Sequence, residues 1–155
     1  MMEKFVSRTA TLEDLDVLLR FEQGIILAER PYDNTLKEDP ITYYDLKELI
    51  LSKDSEVVVV LHGDKIIGSG YARIRQAKPY LKHQEYAYLG FMYTDPRYRG
   101  KGINQQIMET LKKWSRSNGL TELRLTVYND NAPAISAYEK VGFKAHILEM
   151  RMDVD

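Results

Sequence analysis

A run of four valines does most to limit what this chain can fold into. Residues 56–62 read Glu-Val-Val-Val-Val-Leu-His, and β-branched side chains of this kind favour a strand over a helix. Gly63 and Asp64 follow, and residues 65–68 (Lys-Ile-Ile-Gly) resume the apolar pattern. Two apolar runs joined by two turn-forming residues predict a β-hairpin, so the fold must contain a sheet.

The remaining pattern places strands and helices before and after this hairpin. Further strands are predicted at residues 5–8, 85–93, 123–127 and 143–152, and the second hairpin strand runs towards Arg75. Helices are predicted from Thr11 to Pro31, from Asp39-Pro40 to Ile50, from Ile103 to Gly119 and from Asn131 to Gly142. Gly90, inside the fourth strand, suggests a bulge or a close backbone approach. This order indicates an α/β class, with a mixed sheet and helices on both faces.

Composition narrows the function classes. The 155 residues fit one domain, residues 1–155, with 44% hydrophobic and 29% charged residues. The net charge of −1 argues against a dominant attraction to nucleic acid or to a membrane, so neither is expected as a partner. The absence of cysteine excludes disulfides, thiolate metal sites and a cysteine nucleophile. Residues 1–5 do not resemble a signal peptide, so a cytoplasmic location is expected.

Charge is unevenly distributed along the chain. Residues 13–56 contain twelve Asp or Glu and five Lys or Arg, whereas residues 97–124 contain seven Lys or Arg and two Glu. This asymmetry fits either two solvated faces or two kinds of partner, one cationic and one anionic.

The glycine loop, residues 97–102, lies between the fourth strand and the following helix. It contains Arg97, Arg99 and Lys101, interleaved with Gly100 and Gly102. At such a position backbone N–H groups and the helix dipole favour an anion, and glycines let it approach the backbone. The spacing matches neither the Walker nor the Rossmann pattern. The loop is therefore either a cradle for a pyrophosphate or a tight turn that needs glycine.

Two motifs carry a family resemblance. Arg97-x-x-Gly100-x-Gly102 resembles the Gln/Arg-x-x-Gly-x-Gly/Ala signature of the GNAT superfamily of N-acetyltransferases, and residues 129–143 resemble that family's second motif. The resemblance is strong over residues 56–150, and Asn104, where the family often has a smaller residue, is a departure.

The resemblance implies a fold and a substrate. The fold is a GNAT-like mixed, mostly antiparallel sheet flanked by helices and splayed between strands 4 and 5, where acetyl-coenzyme A (acetyl-CoA) binds. No metal is expected. The positions implied to contact this cofactor are Met92, Tyr93, Thr94, Arg97, Arg99, Gly100, Lys101, Gly102, Ile103, Asn104, Asn131 and Tyr138.

Acetyl transfer to an amine needs a neutral amine, a stabilised oxyanion and a protonated leaving thiolate. Direct attack needs no enzyme nucleophile, which agrees with the absence of cysteine. Backbone N–H groups at residues 89–92 are candidates to polarise the thioester carbonyl. Tyr138 matches the family position that often protonates the thiolate, although it could be a core aromatic residue instead. Asn131 is predicted to cap its helix.

The general base is less well determined by the sequence. Glu85 lies near where some members of the family place a catalytic carboxylate, and a register slip of one residue would put Tyr86 there instead. His83 has a suitable intrinsic pKa. Ordered water is the third alternative.

These features predict an acetyl-CoA-dependent N-acetyltransferase. The alternatives are a catalytically silent acyl-CoA-binding sensor module and a nucleotide or nucleic-acid binder, which the near-neutral charge disfavours. The expected acceptor is a primary amine of a small molecule or peptide, and a homodimer is an expected assembly. The acceptor side would carry acidic residues and tyrosines, namely Glu22, Glu29, Asp33, Glu38, Asp39, Tyr32, Tyr43, Tyr44 and Tyr80.

Overall fold

The computed structural model describes residues 4–155 and contains a five-stranded sheet. Its strands are β1 (Val6–Thr9), β2 (Ser55–His62), β3 (Lys65–Gln76), β4 (Glu85–Thr94) and β5 (Leu123–Arg124). They lie side by side in chain order, antiparallel except for the parallel pair β4–β5. The predicted mixed, mostly antiparallel sheet is confirmed. Residues 1–3, part of the stretch predicted not to be a signal peptide, lie outside the described residues.

Helices cover both faces of the sheet, as predicted. They are α1 (Leu15–Glu29), α2 (Leu46–Leu51), α3 (Ile103–Ser117) and α4 (Ala132–Lys140). The valine run alternates between two cores, with Val58 and Val60 in the α3 core and Val57 and Val59 in the α1–α2 core. Successive strand side chains point to opposite faces, so an unbroken valine run suits a strand covered on both sides. Within residues 4–155, none of the helices has the length and apolar character needed to cross a membrane.

The hairpin between β2 and β3 forms at the predicted turn. His62 pairs with Lys65, and Gly63 has a φ of +61°, a conformation that glycine adopts without a Cβ clash.

The first two helices give one confirmed prediction and one wrong one. Before α1, the carboxylate of Asp14 accepts a hydrogen bond of 2.8 Å from the Thr11 backbone N–H, and Pro31 lies in the 3-10 turn that follows the helix, so both predicted ends are confirmed. The predicted helix start at Asp39-Pro40 is wrong, because α2 begins at Leu46. The Asp45 side chain caps α2 by accepting from the Glu48 N–H at 3.1 Å, which supplies the N-terminal signal six residues later in the chain.

The fourth strand contains the predicted irregularity. The β3–β4 register shifts between Ser69 and Tyr71, and Phe91 adopts a φ of +58°. A Cβ added to Gly90 would lie 2.5 Å from the Tyr71 ring, so this glycine permits a close approach, as predicted. A bulge therefore interrupts β4 near its carboxyl end.

The sheet is splayed after the start of β5. The parallel ladder joins Ala87 to Leu123 and Tyr88 to Arg124, and β4 continues to Thr94 beyond these two pairs. The predicted splay between the fourth and fifth strands is confirmed.

The end of the chain departs from the prediction. The strand predicted at residues 123–127 is limited to Leu123–Arg124, and residues 143–155 form no strand. A ladder of two residues gives a following strand little edge to pair with, and side chains such as Ile147 and Met150 are 82% and 84% exposed. The sixth strand predicted at residues 143–152 is therefore wrong.

Candidate active site

The glycine loop is held at its first residues and open at its glycines. Asp95 donates its N–H to the Ile67 carbonyl at 2.8 Å, and its carboxylate accepts from the Arg97 N–H at 2.9 Å. Gly100 and Gly102 have φ values of +76° and +80°, and a Cβ added to either would meet nothing within 4 Å. An anion can therefore approach both the loop backbone and the N–H groups of the first turn of α3.

The three cations of the loop are not equivalent. Arg97 forms an ion pair of 3.2 Å with Asp95, and hydrogen bonding with Arg97 holds the pKa of this carboxyl below its usual range. Arg99 and Lys101 are exposed. Arg97 is itself 71% exposed, so all three side chains, together with the helix terminus, can offer positive charge to a ligand at this loop.

The predicted cofactor-contact positions around the loop differ in what they can offer. Ile103 is 2% exposed and packs into the α3 core, so its backbone N–H is the group available to a ligand. Tyr93 packs against Phe21, with ring centroids 4.4 Å apart and the ring planes tilted by 30°. Met92 packs against the α3 core, whereas Asn104 is half-buried in the first turn of α3 and Thr94 is half-buried at the end of β4.

The backbone N–H groups of residues 89–92, at the bulge in β4, are the candidates to polarise the thioester carbonyl. Phe91 is buried, and its backbone takes part in two interactions, since its carbonyl accepts from the Ser69 hydroxyl at 3.1 Å and its backbone hydrogen-bonds to the Tyr44 hydroxyl. The Phe91 backbone is thus already hydrogen-bonded to Tyr44, which limits what it can offer to a thioester carbonyl.

Tyr138 lies on α4, whose start is fixed as predicted. Asn131 caps the helix by accepting a hydrogen bond of 3.3 Å from the Ala134 N–H. The Tyr138 ring packs edge-on against Phe143 with centroids 5.9 Å apart. Burial raises the pKa of the Tyr138 hydroxyl to about 12, with smaller contributions from Glu29 and Tyr88. The hydroxyl therefore keeps its proton at neutral pH and can donate it.

The structure does not bring Glu85 together with the bulge. Glu85 is exposed at the start of β4, where it accepts a hydrogen bond of 3.0 Å from the Gln76 amide. Six residues of strand separate it from Phe91, which is about 20 Å. His83 likewise lies before β4 and contacts Glu122 at 3.0 Å.

A second set of polar side chains, which we name the tyrosine–carboxylate cluster, gathers beside the splay. The Tyr128 hydroxyl donates to the Asp33 carboxylate at 2.9 Å, and Glu29 interacts electrostatically with the tyrosines of the set. Its members are Glu29, Asp33, Tyr43, Tyr128 and Tyr138.

The two carboxylates of this cluster are perturbed in opposite directions. Hydrogen bonds from Thr35, and then from Tyr128, lower the pKa of Asp33 to about 2. Burial raises the pKa of Glu29, an effect that the nearby Tyr43 hydroxyl partly offsets. Asp33 is therefore a permanent anion, whereas Glu29 is the carboxylate that takes up a proton more readily.

Sequence analysis found only part of this cluster. It placed Glu29, Asp33 and Tyr43 on an acidic acceptor side, but it gave Tyr128 no role and did not separate Glu29 from the other acids. Glu29 is the last residue of an amphipathic helix that faces the sheet, and this position is a signal that could have singled it out.

Comparison with known proteins identifies the family. Residues 23–143 match the family model described as Acetyltransferase (GNAT) family. A mycothiol acetyltransferase from Corynebacterium glutamicum (strain R) is 34% identical over 91 residues, which are 59% of this chain and 29% of that protein. The chain thus spans less than a third of the length of this curated relative.

Solved structures agree on the fold. The tetramutant of the BH1408 protein from Bacillus halodurans gives a TM-score of 0.87 at 19% identity, over 96% of this chain and 99% of that one. A predicted acetyltransferase from Clostridium acetobutylicum, solved with acetyl-CoA, gives a TM-score of 0.72 at 16% identity, over 97% of each chain. The family model covers most of the chain and the splayed sheet agrees with it, so this protein belongs to the GNAT acetyltransferase family.

Proposed function

We propose that this protein transfers the acetyl group of acetyl-CoA to a primary amine by direct attack. One observation supports the proposal most. In this member of the GNAT family, an open glycine loop lies at the start of α3 and a protonated Tyr138 lies beside the splay. The loop suits the pyrophosphate of acetyl-CoA, because its backbone is accessible and its exposed side chains are cationic.

The proposed cofactor site uses the backbone of the loop and the end of β4. Gly100, Gly102, Ile103 and Asn104 would supply N–H groups to the phosphates, and Arg97, Arg99 and Lys101 would supply charge. Met92, Tyr93 and Thr94 would pair through their backbone with the amides of the pantetheine arm. Asn131 would contact the cofactor from the start of α4.

The proposed chemistry follows from these positions. The amine nitrogen attacks the thioester carbonyl carbon, the carbon–nitrogen bond forms, and the carbon–sulfur bond then breaks. Tyr138 donates its hydroxyl proton to the departing thiolate. Because the pKa of Tyr138 lies above the reference thiol pKa of about 8.5, this transfer needs to be coupled to the breaking of the carbon–sulfur bond and to the return of a proton to Tyr138. Holding both substrates in the splay supplies much of the acceleration.

An assay separates this proposal from a silent acyl-CoA sensor. The full chain is incubated with acetyl-CoA and a set of amines (glucosamine, spermidine and a lysine-containing peptide), with free thiol measured by a colorimetric reagent and products by mass spectrometry. Thiol release together with an acetylated amine supports the transferase. Binding of acetyl-CoA by calorimetry without any acetylated amine contradicts it and favours the sensor.

We also propose that residues 1–155 act as a single domain in the cytoplasm and that two copies associate. The exposed apolar side chains of residues 147–154 support association, because monomers rarely expose so many. Light scattering on the purified chain would measure the assembly, and a monomer at micromolar concentration would contradict it.

A further inference from the structure

Glu29 occupies a distinctive place at the end of α1. This helix packs along β4, where Phe21 contacts the Tyr93 ring and a Cβ on Gly24 would lie 2.9 Å from that ring. At 1.5 Å per residue, Glu29 lies about 7 Å further along the helix axis than Gly24. It is half-buried at the last position of the helix, beside the splay.

Tyrosines from three other segments face this one carboxylate. Tyr43 and Tyr44 come from the segment before α2, Tyr128 from the segment after β5, and Tyr138 from α4, and Glu29 acts electrostatically on each of them. The carboxylate therefore lies at the meeting point of the elements that line the splay, within interaction range of the candidate acid.

The charged residues that neighbour Glu29 in the chain, Arg30 and Asp33, are bonded to other groups. Arg30, the next residue, is directed away, since it bonds to the Lys37 carbonyl at 2.8 Å and to Asp39 at 2.7 Å. Asp33 is bonded to Tyr128 at 2.9 Å and to Arg151 at 3.5 Å. Within residues 4–155 no ion pair is found for Glu29, and its charge is opposed by burial.

We propose that Glu29 is the general base that removes the proton from the acceptor amine. This inference deepens the proposed function and depends on it. A base must lie beside the reacting centre, and Glu29 lies at the splay, whereas the exposed Glu85 lies at the start of β4. Burial also raises the pKa of Glu29, which favours uptake of a proton.

The proton balance of the step is complete. The ammonium form of the acceptor gives one proton to the Glu29 carboxylate and becomes a neutral amine with a free lone pair. The amine attacks, the carbon–sulfur bond breaks, and Tyr138 protonates the thiolate. The second proton lost by the nitrogen restores Tyr138 through solvent, and Glu29 releases its proton to solvent. One acetyl amide, one free thiol and one net proton result.

A hydroxyl group beside Glu29 supports a polar ligand at this point. The Tyr43 hydroxyl oxygen is buried and has no hydrogen-bond partner of good geometry in residues 4–155, although Glu29 and Tyr128 lie within electrostatic range. Leaving a buried hydroxyl unpaired is costly, and an acceptor amine bound at Glu29 would supply its partner.

The test compares Glu29→Gln with wild type in the transfer assay, across pH, using whichever of the three amines wild type acetylates. Glutamine keeps the size of the side chain but cannot take the proton. We expect kcat/KM to fall by about 10²- to 10⁴-fold, the range for a positioned base. In wild type, protonation of Glu29 should lower kcat/KM on the acidic side of the pH profile. This fall should be absent in Glu29→Gln, whereas acetyl-CoA affinity should not change.

Two further variants sharpen the result. Glu109→Gln makes the same charge change on the exposed side of α3 and should behave as wild type. Glu29→Asp keeps a carboxylate and should recover part of the activity and the fall of kcat/KM at low pH, which a purely structural role would not restore.

The outcomes are distinct. If wild type transfers acetyl and Glu29→Gln keeps its rate and pH profile, Glu29 is not the base, and a loss in Glu85→Gln would assign the role there. If wild type binds acetyl-CoA but acetylates no amine, the proposed function fails and the role of Glu29 fails with it.

Discussion

The glycine loop and the tyrosine–carboxylate cluster are the two halves of the proposed site, and the chain builds them in different ways. The loop uses consecutive residues, exposed backbone and side chains that carry positive charge. The cluster gathers side chains from residues 29, 33, 43, 128 and 138, and it depends on burial and on two carboxylates with opposite pKa shifts. Because the loop binds through consecutive backbone groups, a substitution there affects the whole segment. The cluster is made of side chains from separate segments, so single substitutions can alter its specificity one residue at a time.

The difference predicts which measured quantity each half controls. Changes in the loop should alter acetyl-CoA affinity and leave the pH profile intact. Changes in the cluster should alter turnover, acceptor affinity or pH dependence and leave acetyl-CoA affinity intact.

The largest effect is expected at Tyr138, the proposed acid. Tyr138→Phe keeps the ring that packs on Phe143 but removes the acidic proton. Turnover should fall by about 10²- to 10⁴-fold, while calorimetric acetyl-CoA affinity and the free energy of unfolding stay close to wild type. Because burial raises the pKa of this hydroxyl to about 12, wild-type activity should show no loss from Tyr138 ionisation between neutral pH and about pH 10. Turnover equal to wild type in the Phe variant would return Tyr138 to a packing role.

The next effect isolates charge at the loop. Asp and Asn have nearly the same shape and both tolerate positive φ, so Gly102→Asp and Gly102→Asn differ mainly by one negative charge at a position with open space. Two like charges about 4 Å apart near a protein surface repel by about 4 kcal/mol, so the Asp variant should bind acetyl-CoA at least about 100-fold more weakly than the Asn variant. Equal affinities in calorimetry would exclude a pyrophosphate at this loop.

The same contrast explains how much the sequence could predict. The glycine loop, the valine hairpin and the cap at Asn131 depend on residues close together in the chain, and each appears in the structure where the pattern places it. The helix predicted at Asp39-Pro40 was wrong because a proline signal competed with the real cap at Asp45, whose hydrogen bond to Glu48 only the structure reveals.

The remaining failures concern contacts between distant residues. Apolar alternation in residues 143–152 predicted a strand, but a strand also needs a partner edge, and β5 provides only two paired residues. The cluster joins residue 29 to residue 138 across the fold, so the helix pattern could mark the position of Glu29 but could not show that Tyr138 lies near it.

A smaller effect is expected when the stability contributions of Asp33 and Glu29 are compared as a function of pH. The folded pKa of Asp33 lies below its unfolded value, so its contribution is present at neutral pH and is lost as pH falls from about 4 towards about 2. The folded pKa of Glu29 is raised, so its ionised form costs stability above the unfolded pKa. In urea unfolding at pH 7, Asp33→Asn should therefore be less stable than wild type and Glu29→Gln at least as stable.

At low pH the effect of Glu29→Gln on stability should disappear. Below about pH 4 the stability difference between Glu29→Gln and wild type should disappear, since glutamate is then protonated in both states. If both variants were less stable than wild type at pH 7, or both more stable, the two carboxylates would not have pKa values shifted in opposite directions.

The smallest effect compares two adjacent tyrosines. Within residues 4–155 the Tyr43 hydroxyl has no hydrogen bond of good geometry, whereas the Tyr44 hydroxyl bonds to the Phe91 backbone. Tyr43→Phe should therefore leave the free energy of unfolding within about 0.5 kcal/mol of wild type, while Tyr44→Phe should lower it by about 1 kcal/mol. In the transfer assay Tyr43→Phe should raise the acceptor KM by about 2- to 10-fold, the value of one hydrogen bond, with acetyl-CoA affinity unchanged. A loss of stability in Tyr43→Phe equal to that in Tyr44→Phe would mean that the Tyr43 hydroxyl already has its partner within the protein, and the acceptor amine would then have to bind elsewhere in the splay.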